Sequence, residues 1–192
     1  MTLAGDLLES GRRLRGVSRR ELARRTGASA PGLADVAAGR KDATTARLDS
    51  LLRALDLQLA LLPGRRSTAV GTGEEVRELV AVADERSAYR AVRQLAIDLA
   101  AVEPALRVAL AVTPPPPTGD RRFDALLAAV VDDCLGSDGL PIPQWVSAED
   151  RSLDEPWDVE PVAVLRPAAR AATPEAFARR GIYLDPVDLV DR

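Results

Sequence analysis

Residues 18–39 read SRRELARRTGASAPGLADVAAG, and this stretch decides the fold of the front of the chain. Ser18 is an N-cap residue with Glu21 three places on, the capping-box spacing that opens a helix over about 19–25. Val17 precedes the cap and is placed to staple against Leu22; Leu22 and Ala23 take the inward side. Thr26, Gly27 and Ala28 form a turn, after which Ser29 caps a second helix. Pro31 falls early enough in that helix for its missing N–H to cost little. Leu33 and Val36, three apart, face inward, and Gly39 ends the segment.

Working outward, residues 3–15 carry Leu3, Leu7, Leu8 and Leu14 at helical spacing. Arg12, Arg13 and Arg15 sit at the C-terminal end, where the helix dipole favours cations. Gly16 stops this helix. Thr44 or Thr45 opens another, with Leu48, Leu51, Leu52 and Leu55 on one face. The run LQLALL at 57–62 reads as a strand or a fifth helix. Residues 1–62 therefore make a four- or five-helix domain, and the two short helices about Gly27 have the layout of a helix-turn-helix.

The rest of the chain is also predicted to be mainly α. Pro63, Gly64, Arg65 and Arg66 break the pattern and begin a linker over 63–73. Residues 74–112 are helical. Val76, Leu79, Val80 and Val82 form one stripe; Ala88, Val92, Leu95, Ala96 and Leu99 form another; Pro104 opens a shorter helix. Long alanine-rich stripes of this kind suit either pairing with a second copy or closure of the chain's own domain, so the region is a candidate for homodimerisation. The prolines of 113–120 read as a rigid linker. Residues 121–192 form a small acidic, Pro-rich C-terminal module, helical or α+β. It begins with an apolar helix over 121–135 and includes a helix capped by Thr173 with Pro174 at its first position.

Composition narrows the chemistry. The 192 residues contain no histidine and one cysteine, Cys134, which excludes a histidine triad, a histidine-bearing zinc site and an internal disulfide. Asp132 and Asp133 are adjacent, so their carboxylates leave a helix in different directions. Gly71, Thr72 and Gly73 lack the lysine of a phosphate loop. No catalytic residue, metal ligand or cofactor is assigned. No run of 18 apolar residues occurs, and 1–14 carries charges inside its apolar pattern, so neither a membrane span nor a signal peptide is read and the expected location is cytoplasmic. The net charge of −3 divides unevenly: residues 1–66 hold 13 basic and 7 acidic side chains, leaving 13 and 22 for the remainder, +6 against −9. A basic head on an acidic body suits a nucleic-acid-binding module joined to a different one.

On Ser18, Glu21, Leu22, Ala23, Gly27, Ser29, Leu33, Gly39, Leu48 and the run LLRALDL at 51–57, residues 3–57 resemble the Cro/C1-type, or XRE, helix-turn-helix family. The later pieces FDALLAAVVDDCL (123–135), GLPIPQW (139–145), PW (156–157) and TPEAFARRGIYLDPVDL (173–189) are similar to regulators encoded beside nucleotidyltransferase-like proteins, pairs described as toxin–antitoxin modules. The resemblance implies binding of double-stranded DNA as a homodimer, and neutralisation of a cognate toxin by direct contact. Backbone contacts would come from Ser18, Arg19, Arg20, Arg24, Ser29, Arg40, Lys41 and Thr44. The base-reading positions are Ala30, Pro31, Gly32 and Asp35, where the family usually carries longer polar side chains. Ala30 offers thymine a methyl contact, and Asp35 would repel phosphate or accept from cytosine. That poverty keeps open a second reading, a helix-turn-helix shell used for protein contact. In the acidic module Trp145, Trp157, Asp154 and Glu155 are the candidate interface residues, with Trp145 and Trp157 equally suited to pinning loops on a small core.

Overall fold

The computed structural model describes residues 2–60, 62 and 65–190, with the backbone alone at 188 and 190. Its contacts divide the chain into two compact units, Met1–Pro63 and Gly64–Arg192.

Among its described residues the first unit holds four helices: α1 (Leu3–Leu14), α2 (Arg19–Thr26), α3 (Ala30–Ala37) and α4 (Thr45–Arg53). Local chemistry sets each boundary. Thr2, Ser18, Ser29 and Thr44 cap the four helices, each accepting a backbone N–H from three residues on. The capping box at Ser18 is half realised. Ser18 Oγ accepts from Glu21 N at 3.1 Å, but the Glu21 carboxylate turns outward to Arg24 and Arg25. Gly27 takes the left-handed conformation (φ 65°) that the tight α2–α3 turn requires. Leu8, Leu22, Leu33, Leu48, Leu51, Leu52 and Leu55 close the core, with Val17 packed at its edge. α1 and α3 cross closely because residue 5 lacks a side chain: a Cβ there would lie 2.6 Å from the Val36 carbonyl oxygen.

The run at 57–62 forms neither strand nor helix among the described residues; Leu61 lies outside them. Asp56, at φ 56°, ends α4 in a left-handed turn, and the Leu57 N–H closes back onto the Leu52 carbonyl at 3.0 Å. Leu57 then tucks against the core while Gln58, Leu59 and Ala60 stay exposed, so the described residues of the first unit form four helices.

The second unit is helical with a minimal sheet. α5 (Ala69–Ala81), α6 (Glu85–Ala100), α7 (Pro104–Ala111) and α8 (Arg121–Gly136) are followed by 3-10 turns at Gln144–Ser147 and Glu149–Arg151. Strand β1 (Trp157–Asp158) leads to a third 3-10 turn at Ala163–Leu165, then α9 (Arg166–Ala172) and α10 (Glu175–Ala178). Strand β2 (Ile182–Tyr183) pairs parallel with β1, Trp157 opposite Ile182, and α11 (Val187–Val190) closes the described chain. The predicted linker at 63–73 is shorter than expected: α5 starts at Ala69, capped by Thr68, whose hydroxyl accepts the Gly71 N–H. The stripes on α5 and α6 pack against one another and against α8, except Val82 at the end of α5, which is exposed.

The prolines of 113–120 are not a free linker either. Pro114, Pro115 and Pro116 are buried. A Cβ on Gly73 of α5 would come within 2.5 Å of Pro115 Cβ, so the polyproline rod lies directly on the α5 backbone. Thr173 does not cap α10. Its hydroxyl bonds the Ala169 carbonyl and both backbone groups of Leu184, tying α9 to the exit of β2.

Gly5→Ala should destabilise the first unit, and Gly73→Ala the second, each by about 1–3 kcal/mol, because each forces a methyl against atoms that cannot move independently. Chemical denaturation of each variant reads the loss; unchanged midpoints would mean that neither contact is as tight as described.

Candidate nucleic-acid interface

The cations predicted for phosphate contact are not equally available. Arg19 at the start of α2 donates through Nε to Glu9 Oε1 at 3.0 Å, reaching back to α1. Arg12 donates to the same carboxylate at 2.8 Å, and through a further short bond to the Val17 carbonyl. Burial pushes Glu9 up, but hydrogen bonds from Arg12 and Arg19 and their charge overrule it and bring its pKa from 4.5 to about 2. Arg24 is held bidentately by Glu21 at 2.8 and 2.7 Å. Arg40 reaches back with two N–H groups to a single oxygen of Asp35, at 3.0 and 2.8 Å. These three must exchange partners to hold phosphate. Arg20 and Lys41 are exposed and carry no ion pair among the described residues.

The hydroxyls of Ser18, Ser29 and Thr44 all accept backbone N–H bonds as caps, at 3.1, 3.1 and 3.2 Å. Each keeps its O–H proton for another acceptor. Ser29 and Thr44 meet across a cleft of about 330 Å³ between the start of α3 and the α3–α4 loop, which Lys41 and Arg47 also line. Arg47 was not among the sequence candidates. It stands at the third position of α4, three after the Thr44 cap, and its side chain is exposed without an acidic partner among the described residues. The spacing Thr44 to Arg47 was its only signal in the sequence. Two cations, two hydroxyls and the α3 N-terminus about one small cleft can hold an anionic oxygen cluster; Asp42 lines it too, its carboxylate accepting the Ala43 N–H at 2.9 Å, which leaves the cleft one net positive charge.

The face of α3 itself is short of chemistry. Ala30 and Pro31 are exposed, Gly32 is half-buried, and the Asp35 carboxylate is taken by Arg40. Methyl and ring carbons are all that Ala30 and Pro31 offer to base edges.

Of the candidate interface residues in the second unit, Trp145 belongs to the interior. It is 7% exposed, donates from Nε1 to the Ala111 carbonyl at 3.0 Å, and has the Arg151 guanidinium 5.4 Å from its ring. It pins the turn after α8 onto α7, and its ring cannot reach a partner. Trp157 is half-buried, edge-on to Phe123 at 6.0 Å, with Arg122 5.5 Å from its ring. Asp154 and Glu155 are exposed beside it, Asp154 paired with Arg121 at 2.9 Å. Asp132 is buried and receives Arg180 at 2.5 Å as well as Arg179, so it adds nothing to the acidic surface. Among the described residues no cluster of three His, Cys, Asp or Glu is placed to hold a metal, and no helix is long and apolar enough to cross a membrane. No family model, curated protein or solved structure matches the chain.

Because the folded-state pKa of Glu9 is depressed, its contribution is complete above pH 4.5 and fades as pH falls through about 2. Glu9→Gln should therefore lower the stability of the first unit at neutral pH and shrink its loss between pH 4.5 and 2. Denaturation of both proteins across that window checks this; parallel acid profiles would remove Glu9 from the account.

Proposed function

We propose that this chain is a DNA-binding transcriptional regulator of the antitoxin type. Its first unit, a Cro/C1-type helix-turn-helix domain, grips duplex DNA mainly by the phosphate backbone. The observation that carries this reading is the cleft beside the start of α3 that Lys41, Arg47, Ser29 and Thr44 line, where two cations outnumber the one carboxylate, Asp42. With Arg20 exposed nearby in sequence, these groups supply charge without sequence information. Specificity would then come from DNA shape and from the spacing of half-sites in a dimer. The second unit, residues 64–192, holds 15 basic and 22 acidic side chains, a net of −7. With exposed Asp154 and Glu155 flanking Trp157, it would take the cognate toxin, a nucleotidyltransferase-like protein, by contact and without chemistry.

The face of α3 favours a second reading. Ala30 and Pro31 are exposed and their side chains bear no hydrogen-bonding group, which suits a protein surface better than base edges.

The two readings separate on the protein's own upstream DNA. Under the first, the protein shifts this DNA and loses affinity steeply between 50 and 200 mM salt. Lys41→Ala and Arg47→Ala each weaken binding to it and to scrambled DNA alike, and each lowers the salt slope by about 1. Absence of duplex binding at low salt sinks the DNA reading and leaves protein contact. Co-purification with the product of the neighbouring gene tests the toxin separately.

A further inference from the structure

In the second unit a concavity of about 210 Å³ is bounded by α6, α7, α8, α10 and α11. Most of its wall is apolar, with Val130, Phe177 and Leu189 contributing. An engineered apolar cavity of about 150 Å³ accepts benzene, so by volume this concavity, whose wall also holds polar groups, has room for a single ring and a short arm.

The polar groups in the wall are incompletely matched. Arg107 is well supplied on its outer nitrogens, which reach the Cys134 and Val102 carbonyls at 3.1 and 3.2 Å and pair with Asp138. Its Nε–H is nevertheless buried without an acceptor. Asp133 is half-buried, and its carboxylate makes no hydrogen bond or ion pair among the described residues. Burial alone acts on its carboxyl and pushes the pKa up, as expected of a charge removed from water without compensation. Since Arg107 is paired with Asp138, the charge left unbalanced in this wall is the negative one. The faces that α6, α10 and α11 bring are Ala96, Ala100, Phe177 and Leu189, none of which can balance it.

A cavity with a largely apolar wall and one unpaired carboxylate in its lining has the anatomy of a small-molecule site. We propose that it binds a compact primary amine with an aromatic or alicyclic body. The ammonium sits on the Asp133 carboxylate and the ring lies against Phe177 and the aliphatic wall. This site is independent of the DNA reading, since it uses no residue of the first unit.

Cys134, the one thiol in the sequence, lines the cavity and reports on its occupancy. The experiment uses the full chain with phenethylamine as probe, and phenylacetate and toluene as its anionic and neutral counterparts. Phenethylamine should raise the melting temperature and slow iodoacetamide alkylation of Cys134 in proportion to its occupancy, while phenylacetate does neither. Toluene should act more weakly than the amine. Asp133→Asn should weaken amine binding at least about tenfold, as loss of a charge-assisted contact implies. Ala100→Trp, an exposed lining position at the end of α6, should fill part of the cavity while leaving the Asp133 carboxylate in place, and should give the same loss; Asp150→Asn, an exposed carboxylate elsewhere, should change nothing. No protection by the amine, equal protection by phenylacetate, or amine binding that survives both Asp133→Asn and Ala100→Trp would overturn the proposal.

Discussion

α8 is covered on nearly every side, and the second unit is arranged to meet that demand. From Phe123 to Val131 its side chains are buried without interruption, which a surface helix with one apolar stripe never shows. Two carboxylates, Asp124 and Asp132, are carried inside with it. An unpaired charge at such depth costs several kcal/mol, so each needs a partner brought from elsewhere. Asp124 accepts the Thr118 N–H at 2.9 Å and faces Arg151 at 3.3 Å; Arg151 in turn donates to the Pro115 carbonyl. Asp132 is met by Arg179 and Arg180 at the end of α10, and Arg180 continues to the Val146 carbonyl at 2.8 Å. The irregular C-terminal segments are thus positioned by the requirement that α8 leave no buried charge unmatched.

The first unit obeys a different economy. It has a small leucine core, and its helices approach closely where Gly5 and Gly11 give up side chains. Much of its basic surface is internally neutralised: Glu9 takes Arg12 and Arg19, Glu21 takes Arg24 and Arg25, Asp35 takes Arg40. Exposed pairs of this kind contribute little stability, so exchange with a phosphate is cheap for Arg24 and Arg40. It is dearer for Arg19, whose partner Glu9 is buried and would lose one of its two guanidinium donors. A count of positive residues therefore overstates the free positive charge of this unit.

What the sequence determined by itself was local. The caps at Ser18, Ser29 and Thr44, the left-handed turn at Gly27, the leucine spacing of α4 and the apolar run of α8 all act over three or four residues, and each forms as its pattern dictates. Tertiary structure alone decided the rest, because each of those outcomes depends on a group distant in the chain. Pro114, Pro115 and Pro116, alike in sequence to a spacer, became a packed wall through the missing side chain at Gly73. Trp145 was drawn inward by the Ala111 carbonyl, Thr173 was taken from its helix by Leu184, and Arg47 gained its place only when α4 brought it beside Lys41. Backbone geometry and capping are satisfied within one turn of helix. Which carboxylate an arginine meets, and which ring is covered, is settled only where separate elements share a core and most buried polar groups must find a partner there.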